Sequence, residues 1–517
     1  MTISPSFYNL PHDDFRPKQF EAIEQLEKSN NKITILEAPV GSGKSAIATA
    51  LSVNDKTVSV LTASKALQHQ YVDEYAYETI AGMANYDCVL LPPLKADSCL
   101  FIENMTQCPK YNECPYVVAR EKYQKAQLKS TNYHYSLAAQ WTREQEQNTL
   151  VLDEAHLIPE LMLGFITTEL SRNNFSNYGV NIDFIFTSIP EKMKLIRLID
   201  ALKTAREKIQ HKIDKLLKLS SGGLSENQKN SLKTLIQNER DLTKILLYLL
   251  MDVDNFTIKV LDNSKFLVIP YLPIGFRENF INNYSYRMIA MSATIGTVES
   301  FAKVLGIDSY QFLKIESNFS PKERPIYVYK NAPKMNYRSK DSDYDKQADI
   351  IAKICQDYPD WAGIIHVNSG NKQQKLAKRL IKRGLGKRIY LPFGLSTEDK
   401  LNNFLSQIER KKNPIGISYS FNEGVNLGDC NINISADIPF RYIDDIERER
   451  INRNSEFYYW TAANKIEQRC GRTRRGRQQD YDTDTERRGI VCIVDASYNI
   501  VKSRLSGSFL DSVVYVE

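Results

Sequence analysis

The sequence predicts an α/β protein built on two doubly wound parallel sheets, and three observations predict it. Short β-branched apolar runs alternate with helical stretches, the runs fall into two sets parted near residue 320, and two long segments interrupt only the first set.

The first set is KITILEA (32–38), TVSVLTA (57–63), NTLVLDEA (148–155) and RMIAMSAT (287–294). The second is PIYVY (325–329), GIIHVNS (363–369), PIGISYS (414–420) and GIVCIVD (489–495). Near-continuous apolar runs suit strands covered on both faces, as parallel sheets require. A chain of 517 residues exceeds one ordinary core and has room for several domains.

Two segments break the rhythm. Residues 85–125 hold four of the eight cysteines, Cys88, Cys99, Cys108 and Cys114, and few regular apolar repeats. Residues 161–284 place Leu195, Leu198, Leu202, Ala205, Ile209, Ile213 and Leu216 three or four apart, as one helix face would. SSGG (220–223) stops that helix, and a second helical pattern runs to about Leu250. Both segments read as insertions in the first sheet domain, whose own parts are then 1–84, 126–160 and 285–320. The second sheet domain takes 321–517, with Tyr498 to Glu517 an ordinary ending.

Hydrophobic residues at 42% and charged residues at 25% give a soluble globular balance. No apolar run nears the roughly 18 residues of a membrane span, which argues against a membrane partner. The opening MTISPSFYNLPHDD lacks the basic start and apolar stretch of a secretory signal. That points to the reducing cytoplasm and away from structural disulfides. A net charge of +6 over this length is too small to identify a nucleic-acid partner by itself. Clustered thiols in a reducing compartment suggest a metal site.

The strand KITILE runs into Ala38-Pro39-Val40-Gly41-Ser42-Gly43-Lys44-Ser45, and AIATALS then reads as a helix. Strand, glycine loop and helix stand in the order that a phosphate-binding loop needs. Gly41, Ser42 and Gly43 bring backbone N–H groups around phosphate oxygens, Lys44 reaches the β and γ phosphates, and Ser45 ligands magnesium. The strand NTLVL ends in Asp153-Glu154-Ala155-His156. An acidic pair at the end of a buried parallel strand lies where such sheets bind ligands. Asp153 is expected to hold magnesium and Glu154 to orient or deprotonate the attacking water.

With these residues the chain resembles the DEAH-type superfamily 2 helicases of the XPD/DinG branch. Phe15-Arg16-Pro17-Lys18-Gln19 resembles the adenine-reading Q motif, with Gln19 the base contact. TASKALQHQ (62–70) is similar to motif Ia, Ser292-Ala293-Thr294 to motif III and HVNSG (366–370) to motif IV. SFNEGVNLGD (420–429) resembles motif V, with Glu423 and Gly424 in place and Asn426 where the family has Asp. Gln468-Arg469-Cys470-Gly471-Arg472-Thr473-Arg474-Arg475 fits motif VI. There Gln468 faces the nucleotide, and Arg472 and Arg475 are guanidinium forks spaced to share a helix face and reach the γ phosphate across a cleft between the two sheets.

Four thiolates suit a 4Fe-4S cluster and also tetrahedral zinc, and intervals of 10, 8 and 5 residues between the cysteines choose neither. The resemblance does: NYDC (85–88), Cys99, Cys108 and ECPYVVAR (113–120) are similar to the family's iron-sulfur domain between motifs Ia and II. It implies that the sheet domains are RecA-like motors and that 161–284 is an Arch domain. It further implies ATP, magnesium and the 4Fe-4S cluster as cofactors, and single-stranded DNA and a fork or tailed duplex as partners. A monomeric motor moving 5′ to 3′, with the cluster supporting a strand-separating wedge, completes the expectation.

The segment KYQKAQLKSTNYHYSL (122–137) joins lysines to Tyr133, His134 and Tyr135, a mixture suited either to backbone charge and base stacking or to core packing. NKQQKLAKRLIKRGLGKR (371–388) is basic, with Leu376 and Leu380 on one inward face, and reads as a solvated helix. Two other functions fit the same motifs: a translocase that strips proteins from DNA without unwinding it, and a clamp that binds ATP with little turnover. Intact Lys44, Glu154, Arg472 and Arg475 argue against the clamp.

Overall fold

The apolar runs form strands, and burial on both faces explains why: Ile33–Glu37 (β1) and Val58–Thr62 (β2) are buried at every position. The structure is a computed structural model that describes residues 4–39, 41–99, 101, 105–138, 147–219, 224–281, 285–316, 325–394, 396–410, 412–421, 427, 430–471 and 489–517. It divides into two compact units. One comprises Met1–Leu36, Gly43–Met291 and Leu305–Leu313, and the other Glu37–Ser42, Ser292–Val304 and Lys314–Glu517.

In chain order the next strands are Glu78–Thr79 (β3), Leu128–Asn132 (β4), Gln147–Asp153 (β5), Thr168–Ser171 (β6), Phe256–Val260 (β7), Lys265–Pro270 (β8), Ser285–Ser292 (β9) and Gln311–Lys314 (β10). The first sheet has seven strands in the order β10-β1-β9-β5-β2-β4-β3. Its pairings β3–β4, β4–β2, β2–β5 and β5–β9 are parallel, with Asp153 opposite Met291 at the end of β5. The crossover helices of this unit include Lys65–Tyr75, whose Ser64 caps the N-terminus by accepting from Leu67 N.

The long insertion contains two helices, Glu191–Leu219 and Glu226–Met251, the second started by a capping box between Ser225 and Gln228. Leu195, Leu198, Leu202, Ala205, Ile209 and Ile213 are all buried and meet Leu232, Leu235, Ile245 and Leu249 of the partner helix. Leu216 is only partly covered. A three-stranded antiparallel sheet, β6-β8-β7, closes the insertion. Leu91 and Leu94 of the cysteine-bearing segment enter this same core, with Cys88 packed against it.

The second unit adds Ile326–Tyr329 (β11), Gly363–His366 (β12), Ile389–Tyr390 (β13), Ile415–Ser418 (β14), Ile432–Ser435 (β15), Ile490–Ile493 (β16) and Val513–Val516 (β17). Their order is β13-β14-β12-β15-β16-β11-β17, and every pairing is parallel. The ending after Tyr498 is folded into the sheet. Short helices Tyr498–Val501 and Gly507–Asp511 carry the chain into β17, which extends the sheet along all four residues of β11. The basic stretch forms the helix Gly370–Leu380, with Leu376 and Leu380 buried. Its Arg379 pairs with Asp341 and Asp345, and Arg383 with Asp349, of the neighbouring helix Asp341–Asp357.

Candidate functional site

Gly41 and Gly43 both adopt left-handed backbone, at φ of 87° and 79°, before the helix Lys44–Ala50 begins. Glycine is needed twice over at position 43, because a side chain there would also collide with the Gln19 amide. Gln19 is buried, accepts from Arg16 N at 3.0 Å and donates to Gly43 O at 3.1 Å. Its amide therefore braces the glycine loop. Ser42 is buried, and Val40 lies outside the described residues.

Beside the loop stands Asp153, buried at the end of β5. Its Oδ1 accepts from Glu154 N at 2.9 Å and its Oδ2 from the Tyr71 hydroxyl at 3.0 Å, while the Tyr133 hydroxyl donates to its carbonyl at 2.8 Å. Tyr71 is also hydrogen-bonded to Ser45. Since its one proton goes to Asp153, Tyr71 takes the Ser45 bond as acceptor. The two expected magnesium ligands are thus joined through one buried hydroxyl. Burial raises the Tyr71 phenol well above its ordinary range, reinforced by the Asp153 charge, so it stays a donor.

Burial also pushes the Asp153 carboxyl up to about 6, and the adjacent Glu154 charge adds to the rise. The Lys44 ammonium opposes both, which places it within the field of that carboxylate. Glu154 itself sits in left-handed backbone, φ 53° and ψ 46°, a conformation that costs a non-glycine residue roughly 1–2 kcal/mol. His156 Nδ1 lies 3.4 Å from Glu154 Oε2. Strain at the acidic pair, together with the bonds on Asp153, is the arrangement of a preorganised site.

In the second unit the helix Ser455–Cys470 presents Trp460, Asn464 and Gln468 four residues apart on one face. Trp460 Nε1 donates to Ile295 O at 2.7 Å, Asn464 Nδ2 to Thr294 O at 3.1 Å and Gln468 Nε2 to Thr294 Oγ1 at 2.7 Å. Arg469 turns the other way, donating to Asp437 O and Asn368 Oδ1. Arg472, Arg475, Glu423, Gly424 and Asn426 lie outside the described residues.

Cys88, Cys99, Cys108 and Cys114 are free thiols in a segment of short 3-10 turns. Burial pushes the Cys99 thiol up to about 11, and the charges of Cys108, Cys88 and Cys114 each add to the rise. The four sulfurs are therefore electrostatic neighbours. Among the described residues no group of three or more His, Cys, Asp or Glu side chains is set to hold a metal ion. Four cysteine thiols supply the donor type that an iron-sulfur cluster or zinc takes. Two buried guanidinium groups with unbonded nitrogens beside them would suit the negative charge of such a group. Among the described residues Arg120 Nε, and Arg240 Nε and Nη2, find no hydrogen-bond partner, and Cys99 when ionised acts on Arg240.

The stretch that combined lysines with aromatics is largely built into the fold. Tyr133 is buried on Asp153, Tyr135 bonds the Tyr116 hydroxyl at 3.0 Å, and Lys129 is buried with Nζ on Gln124 O at 2.7 Å. Core packing takes Tyr133, Tyr135 is partly buried, and His134 is exposed. Sequence reasoning missed Tyr71 and Trp460. The available signal was an aromatic residue on the inward face of a helix beside each motif, which by itself says only that the residue is core.

Two family models match the chain: a helicase C-terminal domain over residues 351–513, and the type III restriction enzyme res subunit over residues 12–191. No curated protein matches the sequence. Solved structures share the fold. An XPD helicase aligns at TM-score 0.59 and 15% identity, covering 100% of both chains. An apo XPD aligns at 0.56 and 16%, covering 96% of this chain and 99% of its own. Xpd4 of S. tokodaii aligns at 0.56 and 14%, with 97% and 99% covered. Among the described residues no helix is long and apolar enough to cross a membrane.

Proposed function

We propose, from the premise that this chain is an XPD/DinG-like superfamily 2 helicase, that it hydrolyses ATP to move 5′ to 3′ along single-stranded DNA and opens duplex DNA at a wedge supported by a 4Fe-4S cluster. The observation that carries the reading is the Ser45–Tyr71–Asp153 chain with Lys44 in its field. It gathers the groups that a magnesium nucleotide needs into one buried corner.

Ser45 and Asp153 are the residues that would hold magnesium, whose charge offsets the negative charge developing on the transferred phosphoryl group. Lys44 meets the β and γ phosphates, and Gln19 and Gly43 keep the loop closed around them. Glu154 takes the proton of the attacking water, with His156 orienting its carboxylate. Arg472 and Arg475 stabilise the γ-phosphoryl charge, a service worth roughly three to five orders of magnitude in related phosphoryl transfers. Gln468 and Asn464 link that segment to Thr294, so that hydrolysis reports to motif III. Cys88, Cys99, Cys108 and Cys114 would hold the cluster, which supplies rigidity to the 85–125 domain. Contacts to the DNA backbone give little sequence preference and strong salt dependence.

The test is strand separation by anaerobically purified monomeric protein on 5′-tailed and 3′-tailed duplexes with ATP, beside Lys44→Ala and Cys114→Ser. Opening of the 5′-tailed substrate alone, lost in both variants, supports the reading. ATP hydrolysis on single-stranded DNA with neither duplex opened makes the chain a translocase instead.

A further inference from the structure

We infer that Arg240, carried on the Arch helix Glu226–Met251, is a positioning residue for the cluster: its guanidinium donates to the cysteine thiolates, so that a loaded cluster fixes the Arch hairpin against the cysteine domain. The inference rests on the 4Fe-4S reading above and goes beyond it, because it assigns the cluster a structural hold on a different domain.

The junction is already built on both sides. Leu91 and Leu94 enter the Arch core and Cys88 packs against it. Lys229 Nζ donates to Pro92 O at 2.6 Å, and Arg240 Nη1 donates to Asp97 O. An open pocket of about 250 Å³ lies beside these contacts, lined by Asp97 and Ser98 on one wall and by Lys233, Thr234, Gln237 and Asn238 of the helix on the other.

Arg240 is the anomaly in this junction. Its Nε and Nη2 are buried without a hydrogen-bond partner among the described residues. Burying a cation with two unmade bonds costs several kcal/mol unless an anion answers it. The nearby carboxylates are engaged elsewhere: Glu239 accepts from Arg206 and Thr243, Asp241 from Gln237, and Asp97 from Ser98. Of the groups near Arg240, Cys99 when ionised acts on it most strongly, ahead of Asp97, Glu239 and Asp241. A four-thiolate iron-sulfur cluster is anionic in each of its common oxidation states. It would give a buried fork of N–H donors the partner that free thiols do not.

The experiment compares anaerobically purified wild type with Arg240→Gln, Arg240→Lys and Arg206→Gln, the last breaking the hairpin's own ion pair with Glu239. Iron and acid-labile sulfide per chain, the midpoint potential, the rate of bleaching by a chelator, and deuterium uptake of Glu226–Met251 are measured on each. Arg240→Gln is expected to bind iron, shift the potential negative, bleach about tenfold faster and show helix exchange like that of chelator-stripped wild type. Arg240→Lys restores the potential, because the charge returns, and still bleaches fast, because the fork does not. Should Arg240→Gln fail to fold, Arg240→Lys bleaching at the wild-type rate overturns the inference. It is equally overturned if Arg240→Gln leaves potential and bleaching unchanged, or if Arg206→Gln moves both as far. Wild type without iron and sulfide defeats the cluster reading itself and this inference with it.

Discussion

Replacing Tyr71 with Phe tests whether the proposed magnesium ligands, Ser45 and Asp153, are held from behind. The ring stays in place against Tyr77, at 5.1 Å between centroids, so the substitution removes one hydroxyl from a site with no solvent access. That hydroxyl bonds Asp153 Oδ2 at 3.0 Å and accepts from Ser45. A hydrogen bond to an ionised group is worth ~1.5–3 kcal/mol. Asp153 keeps its bond from Glu154 N, and Tyr133 still holds its carbonyl, so the loss falls on the orientation of one carboxylate oxygen. At a factor of ten per ~1.4 kcal/mol, the magnesium concentration for half-maximal ATPase rises roughly ten- to hundredfold. Turnover at saturating magnesium stays within about twofold, because the variant removes no group expected to touch the γ phosphate. The assay is DNA-stimulated ATP hydrolysis across a magnesium series at saturating ATP. An unchanged magnesium dependence with reduced turnover would refute the reasoning, since Tyr71 would then serve the chemistry or the fold and not the ligands.

Asp495 provides a pH test in the second unit. Burial raises its carboxyl to about 6 although Met335, Ile438 and Ser497 all donate backbone bonds to it. The folded state therefore binds the proton more tightly than the unfolded chain does, and stability from this group falls as pH rises from about 4 to about 6, by up to roughly 3 kcal/mol. Asp495→Asn lacks that term, so the gap in melting temperature between wild type and variant should widen on going from pH 7 to pH 5; a constant gap contradicts the assignment. Arg287→Met removes bonds to Thr149, Leu26 O and Asp55 and leaves a nearly buried carboxylate without its cation, held by the Thr149 hydroxyl, which should cost ~3–5 kcal/mol in urea unfolding, partly recovered by adding Asp55→Asn. Gln468→Ala cuts the bond to Thr294 and should lower base pairs opened per ATP by roughly fivefold, from ~1 kcal/mol of coupling, while ATPase changes less; equal losses in both would count against a coupling role.

The fold was legible where burial is two-sided. All eight apolar runs became strands of the parallel sheets, because a strand covered on both faces must be apolar at nearly every position. The strands that escaped are those whose polar atoms find partners inside. In β4, Leu-Lys-Ser-Thr-Asn is polar yet Lys129, Ser130 and Thr131 are buried, with Lys129 satisfied by Gln124 O and its ammonium pulled down to about 8 by desolvation. In β15 the buried Asn433 donates to Arg469 O. Strand β17, Val-Val-Tyr-Val, lies at the sheet edge, where one neighbour suffices and none of its four residues is fully buried.

The candidate site divides along the same line. Gly43, Lys44, Ser45 and Asp153 could be read because their roles require specific residue types at a strand end or a glycine turn. Tyr71 and Tyr133 could not, because a helix pattern shows that a tyrosine faces inward and never shows what its hydroxyl meets. The distinction has a consequence for the segment 122–137. Its aromatics matched the composition of a base-stacking surface, yet Tyr133 spends its hydroxyl on the Asp153 carbonyl and Tyr135 on Tyr116. Composition counts side chains without regard to whether their polar atoms are already committed. Tyr133, fully buried, cannot offer its face to a nucleobase, while Tyr135 is only partly buried. If single-stranded DNA passes this face, its contacts must come from exposed side chains such as His134, so substitution there should weaken DNA binding while Tyr135→Phe leaves it intact.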